Sequence, residues 1–282
     1  GHEHEEQGQP PRRIVYAFGR KGYNGMNTRV NWVGYKTIVH KEVTRILRIW
    51  AQTVVPPAIT MTLYCIIFGN LIGRRIGEMG GFDYMQFIVP GLIMMSVITS
   101  SYGNMVSSFF GAKFGRHIEE LLISPLPNWV ILAGYVTGAL VRGLMVGLVV
   151  MVISLFFTRV EVQHPLIMVS VLLLTSVVFA MAGMVNAIFA NKFDDIAIIP
   201  TFILTPLTYL GGVFYSISLL PEFWQKLSAF NPILYMVNGF RYGILGVSDV
   251  EITYAYAIIG VFVVALGGLC LWLLHRGTGL RS

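Results

Sequence analysis

Long uncharged runs alternate with short polar connectors along most of this chain. The runs are Thr53–Gly73, Met85–Ala112, Leu121–Ser154 (broken only by Arg142), Leu166–Asn191, Ile196–Pro221 and Ile252–Leu274. A helix rises about 1.5 Å per residue, so roughly 20 apolar residues match a hydrocarbon core about 30 Å thick. Lipid offers backbone amides no partner, which leaves only helices or a closed barrel as spanning elements. The runs lack the alternating polarity of barrel strands. The pattern predicts an all-α membrane protein with six transmembrane helices, at about residues 53–73, 85–110, 128–156, 166–190, 196–216 and 252–274.

Ahead of the first run the period changes. Trp32, Tyr35, Val39, Val43, Ile46, Leu47 and Trp50 recur at spacings of three and four, with Lys41, Arg45 and Arg48 opposite. This predicts an N-terminal amphipathic helix over 32–52, lying in the membrane interface or packed on protein. Residues 1–26 are Glu- and Gly-rich, carry Pro10-Pro11 and show no apolar period. They read as a disordered tail or an appended remnant with Met26 as the natural start, which leaves 27–282 as a single domain.

Two connectors are long enough to hold structure. The loop 113–127 contains Lys113, Arg116, His117, Glu119 and Glu120, then Leu121 and Ser124-Pro125. Arg116 precedes the acids at helical spacings that permit pairing, and Pro125 pushes Ser124 out of the α region. A short charged helix is therefore expected here. The segment 217–246 follows Gly211-Gly212 and contains Pro221, Trp224, Asn231-Pro232 and the apolar piece Ile233–Phe240, ended by Arg241. That piece is too short to span, so it reads as a re-entrant or interfacial hairpin before the last helix.

Charge adds the orientation. Of the 20 lysines and arginines, Arg74, Arg75, Arg159, Lys226 and Arg241 fall on the side opposite the N-terminus, and Arg142 falls inside a span. All the others lie on the N-terminal side, the bias expected of a cytoplasmic face, which places both termini in the cytoplasm. The net charge of +6 thus reports topology and calls for no nucleic-acid partner. Cys65 and Cys270 both fall in predicted spans, with no disulfide or metal framework. His2, His4, His40, His117, His164 and His275 are scattered without triad or ligand spacing. A polytopic enzyme acting on lipids needs clustered acids or histidines at one membrane face, and a secondary transporter needs intramembrane acids. Neither pattern is evident, so both stay as alternatives to be separated by experiment, the lipid-acting enzyme first, and no phosphate-cradling Gly-x-x-x-x-Gly-Lys-Ser/Thr occurs.

Leu204, Leu207, Leu210, Gly211, Val213, Leu220-Pro221, Pro232-Ile233, Tyr235 and Arg241 stand at the spacing of a signature of type-2 ABC exporter permeases. The loop Arg116 to Ser124-Pro125 resembles the same family's coupling segment, with His117-Ile118 where Gly-Thr is common. The likeness covers Asn27 to Ser282 and is closer to the YadH-like group of bacterial inner-membrane permeases. It implies a multi-pass inner-membrane subunit that pairs with a second copy of itself and docks two cytoplasmic ABC ATPase subunits. This chain would hold no cofactor, with ATP and Mg bound in the partner. The implied transport is export by alternating access, with an amphiphilic or drug-like substrate expected from the short outer portion. The alternative within the family is a polysaccharide or lipid-linked glycan.

Candidate residues follow from both readings. Arg116, Glu119, Glu120, Leu121 and Ser124 are expected at the ATPase contact. Phe214, Tyr215, Pro221, Trp224, Pro232, Tyr235 and Arg241 are expected in the external hairpin, where Phe223 and Phe240 extend an aromatic group that is either a gate or an interfacial belt. Arg142, Asn104 and Tyr209 are candidates for the substrate pathway. Arg142 also fits a structural cation bonded to carbonyls, and Asn104 an interhelical hydrogen bonder.

Overall fold

The computed structural model describes residues 28–277 and Gly279, and the expectation for residues 1–26 lies outside them. Helix α1 (Thr28–Arg48) stops where Ile49 leaves helical geometry at φ −106° and ψ 30°. Helix α2 (Trp50–Ile76) then begins, three residues before the apolar run does, and widens into a π-helix over Cys65–Ile72. Its Pro56 and Pro57 withhold two backbone donors from the ladder. A short hairpin follows, β1 (Glu78–Met79) against β2 (Phe82–Asp83). Gly80 and Gly81 turn it at φ +62° and +82°, the positive pair that a tight two-residue β-turn requires.

The remaining helices are α3 (Tyr84–Phe114), α4 (His117–Ile123), α5 (Asn128–Ser154), α6 (Pro165–Phe189), α7 (Asp195–Tyr209), α8 (Glu222–Ser228), α9 (Pro232–Leu245) and α10 (Ile252–Arg276). Among the described residues, five helices are long and apolar enough to cross a membrane: α2, α3, α5, α6 and α10. The run expected to span 196–216 departs from this. Its helix is α7, which passes through a π turn at Pro200–Leu204 and ends at Tyr209. That gives a rise of roughly 22 Å. The stop is chemical, because Gly211-Gly212 follows and Gly212 takes φ +72°, a conformation glycine adopts without steric cost.

Helix α3 is the axis of the domain. Within its most apolar stretch 72% is buried, against 11% for α2, and it packs on α5, α6 and α9. Small residues let the helices approach. Gly134 and Gly138 of α5 lie against Ile38 and Glu42 of α1, while Gly143 and Gly147 lie against Ser101 and Val97 of α3. These two four-residue spacings place α5 between α1 and α3 at the close range typical of membrane helix pairs. Because contacts advance from Ile38–Gly134 to Glu42–Gly138, α1 runs in the same direction as α5.

The inward strip of α1 is Ile38, Glu42 and Ile46, which differs from the stripe read from the sequence. Of that stripe, Trp32, Leu47 and Trp50 stay exposed and only Ile46 is buried. Tyr35, Val39 and Val43 are half-buried, and Tyr35 bonds the Thr137 hydroxyl of α5 at 2.9 Å, so the packed face is rotated from the stripe and carries the acid Glu42.

Close packing gives a direct prediction. A Cβ on Gly91 of α3 would stand 2.7 Å from the Val213 carbonyl oxygen and 2.9 Å from its Cα, whereas a Cβ on Gly103 meets nothing within 4 Å. We predict that Gly91→Ala costs about 1–3 kcal/mol, while Gly103→Ala is neutral or gains up to about 1 kcal/mol in helix propensity. Unfolding of the two purified variants in detergent checks this, and equal stability would contradict it.

Candidate functional site

The first candidate region is the α4 end. Gly115 and Arg116 turn the chain from α3 into α4, and Arg116 does so at φ +60°, the one non-glycine with positive φ among the described residues. Its residue is the cap before the helix and not part of it, so the spacing to Glu119 and Glu120 is not helical. The expected Arg116–glutamate pairing is accordingly absent; among the described residues the only ion pair is Glu42–Arg45. Ile118 is buried and seats α4 beside Phe109, Ile131 and Ile188, with Leu121 partly buried against the same cluster. Ser124 ends the helix in extended geometry, its hydroxyl donating to the Leu121 carbonyl at 2.6 Å. Glu120 and Arg116 are exposed, Glu119 is partly so, and Ile123 is 84% exposed. Lys113 donates to the Ile188 and Ala190 carbonyls at 2.6 Å each, so a cation satisfies the last carbonyls of α6. The result is a rigidly seated turn that presents mixed charge and an apolar tip.

At the opposite end lies the segment after α7. Its centre is Arg241, fully buried within α9. The sequence reading ended an apolar piece at this residue; the helix instead continues to Leu245. It can do so because the guanidinium is answered by carbonyls and a ring. Nη2 donates to Gly212 O at 2.7 Å and Nε to Phe87 O at 3.2 Å, and the guanidinium carbon lies 4.0 Å from the Phe87 ring centroid. Arg241 thereby ties α9, the start of α3 and the glycine turn together. Asn238 and Asp249, which the sequence reading missed, extend the tie. Asn238 Oδ1 accepts from the Asp249 amide at 3.1 Å. The Asp249 carboxylate accepts from the Ser216 hydroxyl at 2.7 Å and the Ile217 amide at 3.0 Å.

The other hairpin residues are distributed around this clamp. Phe214 stacks on Phe68 of α2 at 4.9 Å and lies 5.4 Å from Tyr64 and 6.0 Å from Tyr209, while Tyr215 donates to the Tyr209 carbonyl at 2.9 Å. Pro221 precedes α8 as its cap, and Trp224 in that helix meets Phe223 edge-on at 5.4 Å. Pro232 opens α9 behind Asn231, whose side chain accepts from the Ile233 amide at 3.0 Å. Tyr235 donates to the Ala229 carbonyl at 2.8 Å. The aromatic group expected as one body is thus divided, with Phe240 buried in the core.

The third region lies where α1, α3 and α5 meet. Glu42 is fully buried. Its Oε1 accepts from the Ser108 hydroxyl at 2.5 Å and its Oε2 from Arg45 at 3.1 Å. Arg45 also donates to Asn104 Oδ1 at 2.7 Å. Arg142, midway along α5, stands one turn after Gly138 on the face that meets Ile38 and Glu42 of α1. Of the substrate-pathway candidates, Asn104 and Arg142 share this neighbourhood. Tyr209 does not; it lies by Phe214, whose carbonyl accepts from Tyr84, twenty residues or roughly 30 Å along α3 from Asn104. A signal for the network was present: Glu42 is the one acid between residues 28 and 77, three positions before Arg45, a spacing that brings charges together on a helix.

A bundle with five long apolar helices is that of a polytopic membrane protein, and sequence comparison gives its class. Residues 34–245 match the ABC-2 type transporter family, and the chain belongs to it. It is 61% identical over 251 residues to the inner membrane transport permease YadH of Escherichia coli K12, covering 89% of this chain and 98% of that one. It is 23% identical over 203 residues to nodulation protein J of Rhizobium leguminosarum bv. viciae, covering 72% and 78%. The chain is accordingly a multi-pass inner-membrane transport permease of the ABC class and not itself an enzyme. The family implies an ABC ATPase partner in general.

The Arg241 clamp yields a prediction. Arg241→Met removes the donors to Gly212 and Phe87 while roughly keeping apolar bulk. We predict a loss of about 3 kcal/mol or more, because buried carbonyls lose their partner. Chemical unfolding of the purified variant measures it, and parental stability would contradict the clamp.

Proposed function

We propose that this chain is the membrane half of an ATP-driven exporter. It pairs with a second copy, and the pair engages two cytoplasmic ABC ATPase subunits through Arg116, Glu119, Glu120, Leu121 and Ser124. ATP and Mg are bound in those partners. In this reading α7, with the turn after it, is the fifth of six crossings, followed by α8, α9 and their connectors as an external re-entrant hairpin. Six crossings return both termini to the cytoplasm, in line with the distribution of lysine and arginine. ATP-driven closure moves α4, α4 moves α3 and α5 on either side of it, and the cargo passes outward. An amphiphilic or drug-like compound is the proposed cargo.

The observation that carries the proposal is the seating of α4. Its buried Ile118 belongs to a hydrophobic cluster shared with residues of α3, α5 and α6, so a force applied to its exposed side has a packed route into the bundle. The chain also lacks any phosphate-cradling motif, so its power must come from elsewhere. Uncovered apolar side chains on α2 and α10, among them Leu63, Leu71, Val261 and Val264, supply the surface for lipid and a second copy.

Charge reversal tests the docking. We predict that the double variant Glu119→Lys and Glu120→Lys inserts and purifies normally but retains less than about a tenth of the co-expressed ATPase, the loss expected when interfacial charges become repulsive by 1.4 kcal/mol or more. Undiminished co-purification would overturn the assigned contact.

A further inference from the structure

The charges where α1, α3 and α5 meet do not balance. Glu42 is answered by Arg45, and both its oxygens are occupied. Arg142 remains. It makes no hydrogen bond to any described residue, and its Nε is buried without a partner. An unanswered cation at mid-span costs about 3 kcal/mol, and a stable protein does not keep such a charge idle without an occupant or water beside it.

The neighbouring polar atoms share one character. The Nδ2 of Asn104, the Nε of Arg45 and the hydroxyls of Tyr135 and Ser101 are also buried and unpartnered. Asn104 and Ser101 are 0% exposed and Tyr135 1%. Each can donate a hydrogen bond. They form a contiguous group. Arg45 bonds Asn104, Ser101 stands one turn from Asn104 and touches Gly143 beside Arg142, and Tyr135 lies one turn before the Gly138 that receives Glu42. Within this group the one carboxylate already has a donor on each oxygen, so unpaired donors and positive charge are in excess. The terminal nitrogens of Arg142 do not appear among the buried unpaired atoms, and the Arg45 side chain is 28% exposed, so the group is open on one side.

We infer that Arg142, Arg45, Asn104, Tyr135 and Ser101 form a binding site for the anionic oxygens of an amphiphile, a phosphate or carboxylate group, held between α1, α3 and α5. An oxyanion fills the set because it accepts several hydrogen bonds at once and supplies the missing negative charge, and arginine forks bind such groups in pairs. The apolar surroundings of α2 and α5 suit the attached chain. The proposal deepens the permease reading by giving the cargo an acidic head. Two sources share this chemistry, an anionic membrane lipid and a transported acidic amphiphile.

The test is binding of dodecyl phosphate to the purified chain in a maltoside detergent, measured by calorimetry, with dodecyltrimethylammonium as the charge-reversed probe. We expect saturable binding of dodecyl phosphate and none of the cation. Arg142→Gln weakens binding by about tenfold or more, the loss of one charge-assisted hydrogen bond of 1.4 kcal/mol or greater, and Arg142→Lys restores part of it. Competition by phosphatidylglycerol assigns the site to a lipid headgroup, and its failure to compete assigns it to another acidic amphiphile. Equal binding of both probes, or undiminished affinity in a folded Arg142→Gln protein, would overturn the site. Should that variant not fold, the comparison of the two probes on the parent protein decides alone. No ATPase is needed, so failure here is separable from failure of the docking contact.

Discussion

A hydrocarbon solvent neither hydrogen-bonds nor stabilises charge, so every polar group drawn into this domain must be answered by protein, water or a bound ligand. The two buried charge sites show how strongly this shapes the chain. Arg241 is surrounded by carbonyls that the glycine turn and the start of α3 leave open, and the turn in turn depends on the arginine for its partner. Glu42 draws Arg45 and Ser108 to itself, and this fixes which face of α1 meets α3 and α5. Helix packing by small residues brings the backbones close, but the buried polar atoms decide register. A shift of one residue would move an apolar side chain at modest cost, whereas it would strand a charge.

The same constraint separates the ends of the molecule. At one end, irregular backbone at Leu210–Val213 is covered by α3 and α9 and satisfied by Arg241, the condition under which non-helical chain is tolerated at membrane depth. At the other, Glu120 of α4 and the preceding Arg116 are exposed, where charge need not be answered by the bundle. In the proposed mechanism, motion of α4 would be transmitted through α3, the most buried of the five long helices. Alternating access needs discrete packings of this kind and not continuous bending.

The sequence disclosed some of this and concealed the rest for identifiable reasons. The long spans were legible because twenty or more uncharged residues have no other stable environment. The early end of α7 was not, since the residues after Tyr209 remain apolar and only Gly211-Gly212 hints at the stop. Charge misled at Arg241, which reads as a surface residue until carbonyls from distant segments are placed around it. Periodicity was only partly informative on α1 for the converse reason: its packed face contains the acid Glu42, so the apolar stripe is rotated from it and overlaps it at Ile46. Arg142 and Asn104 were singled out one at a time, and Arg45, which bonds Asn104, had been assigned to the polar face. Such a network is invisible to local spacing because α1, α3 and α5 meet only in three dimensions.

The central claim is that buried charges in this domain are stable only as matched sets, and a double-mutant cycle on Glu42 and Arg45 tests it most directly. Glu42→Gln alone leaves Arg45 uncompensated, and Arg45→Gln alone leaves Glu42 so, while the double variant leaves neither. Unfolding free energies measured in one detergent should show the double variant less destabilised than the sum of the single ones, by about 1 kcal/mol or more. Additive losses would contradict the account.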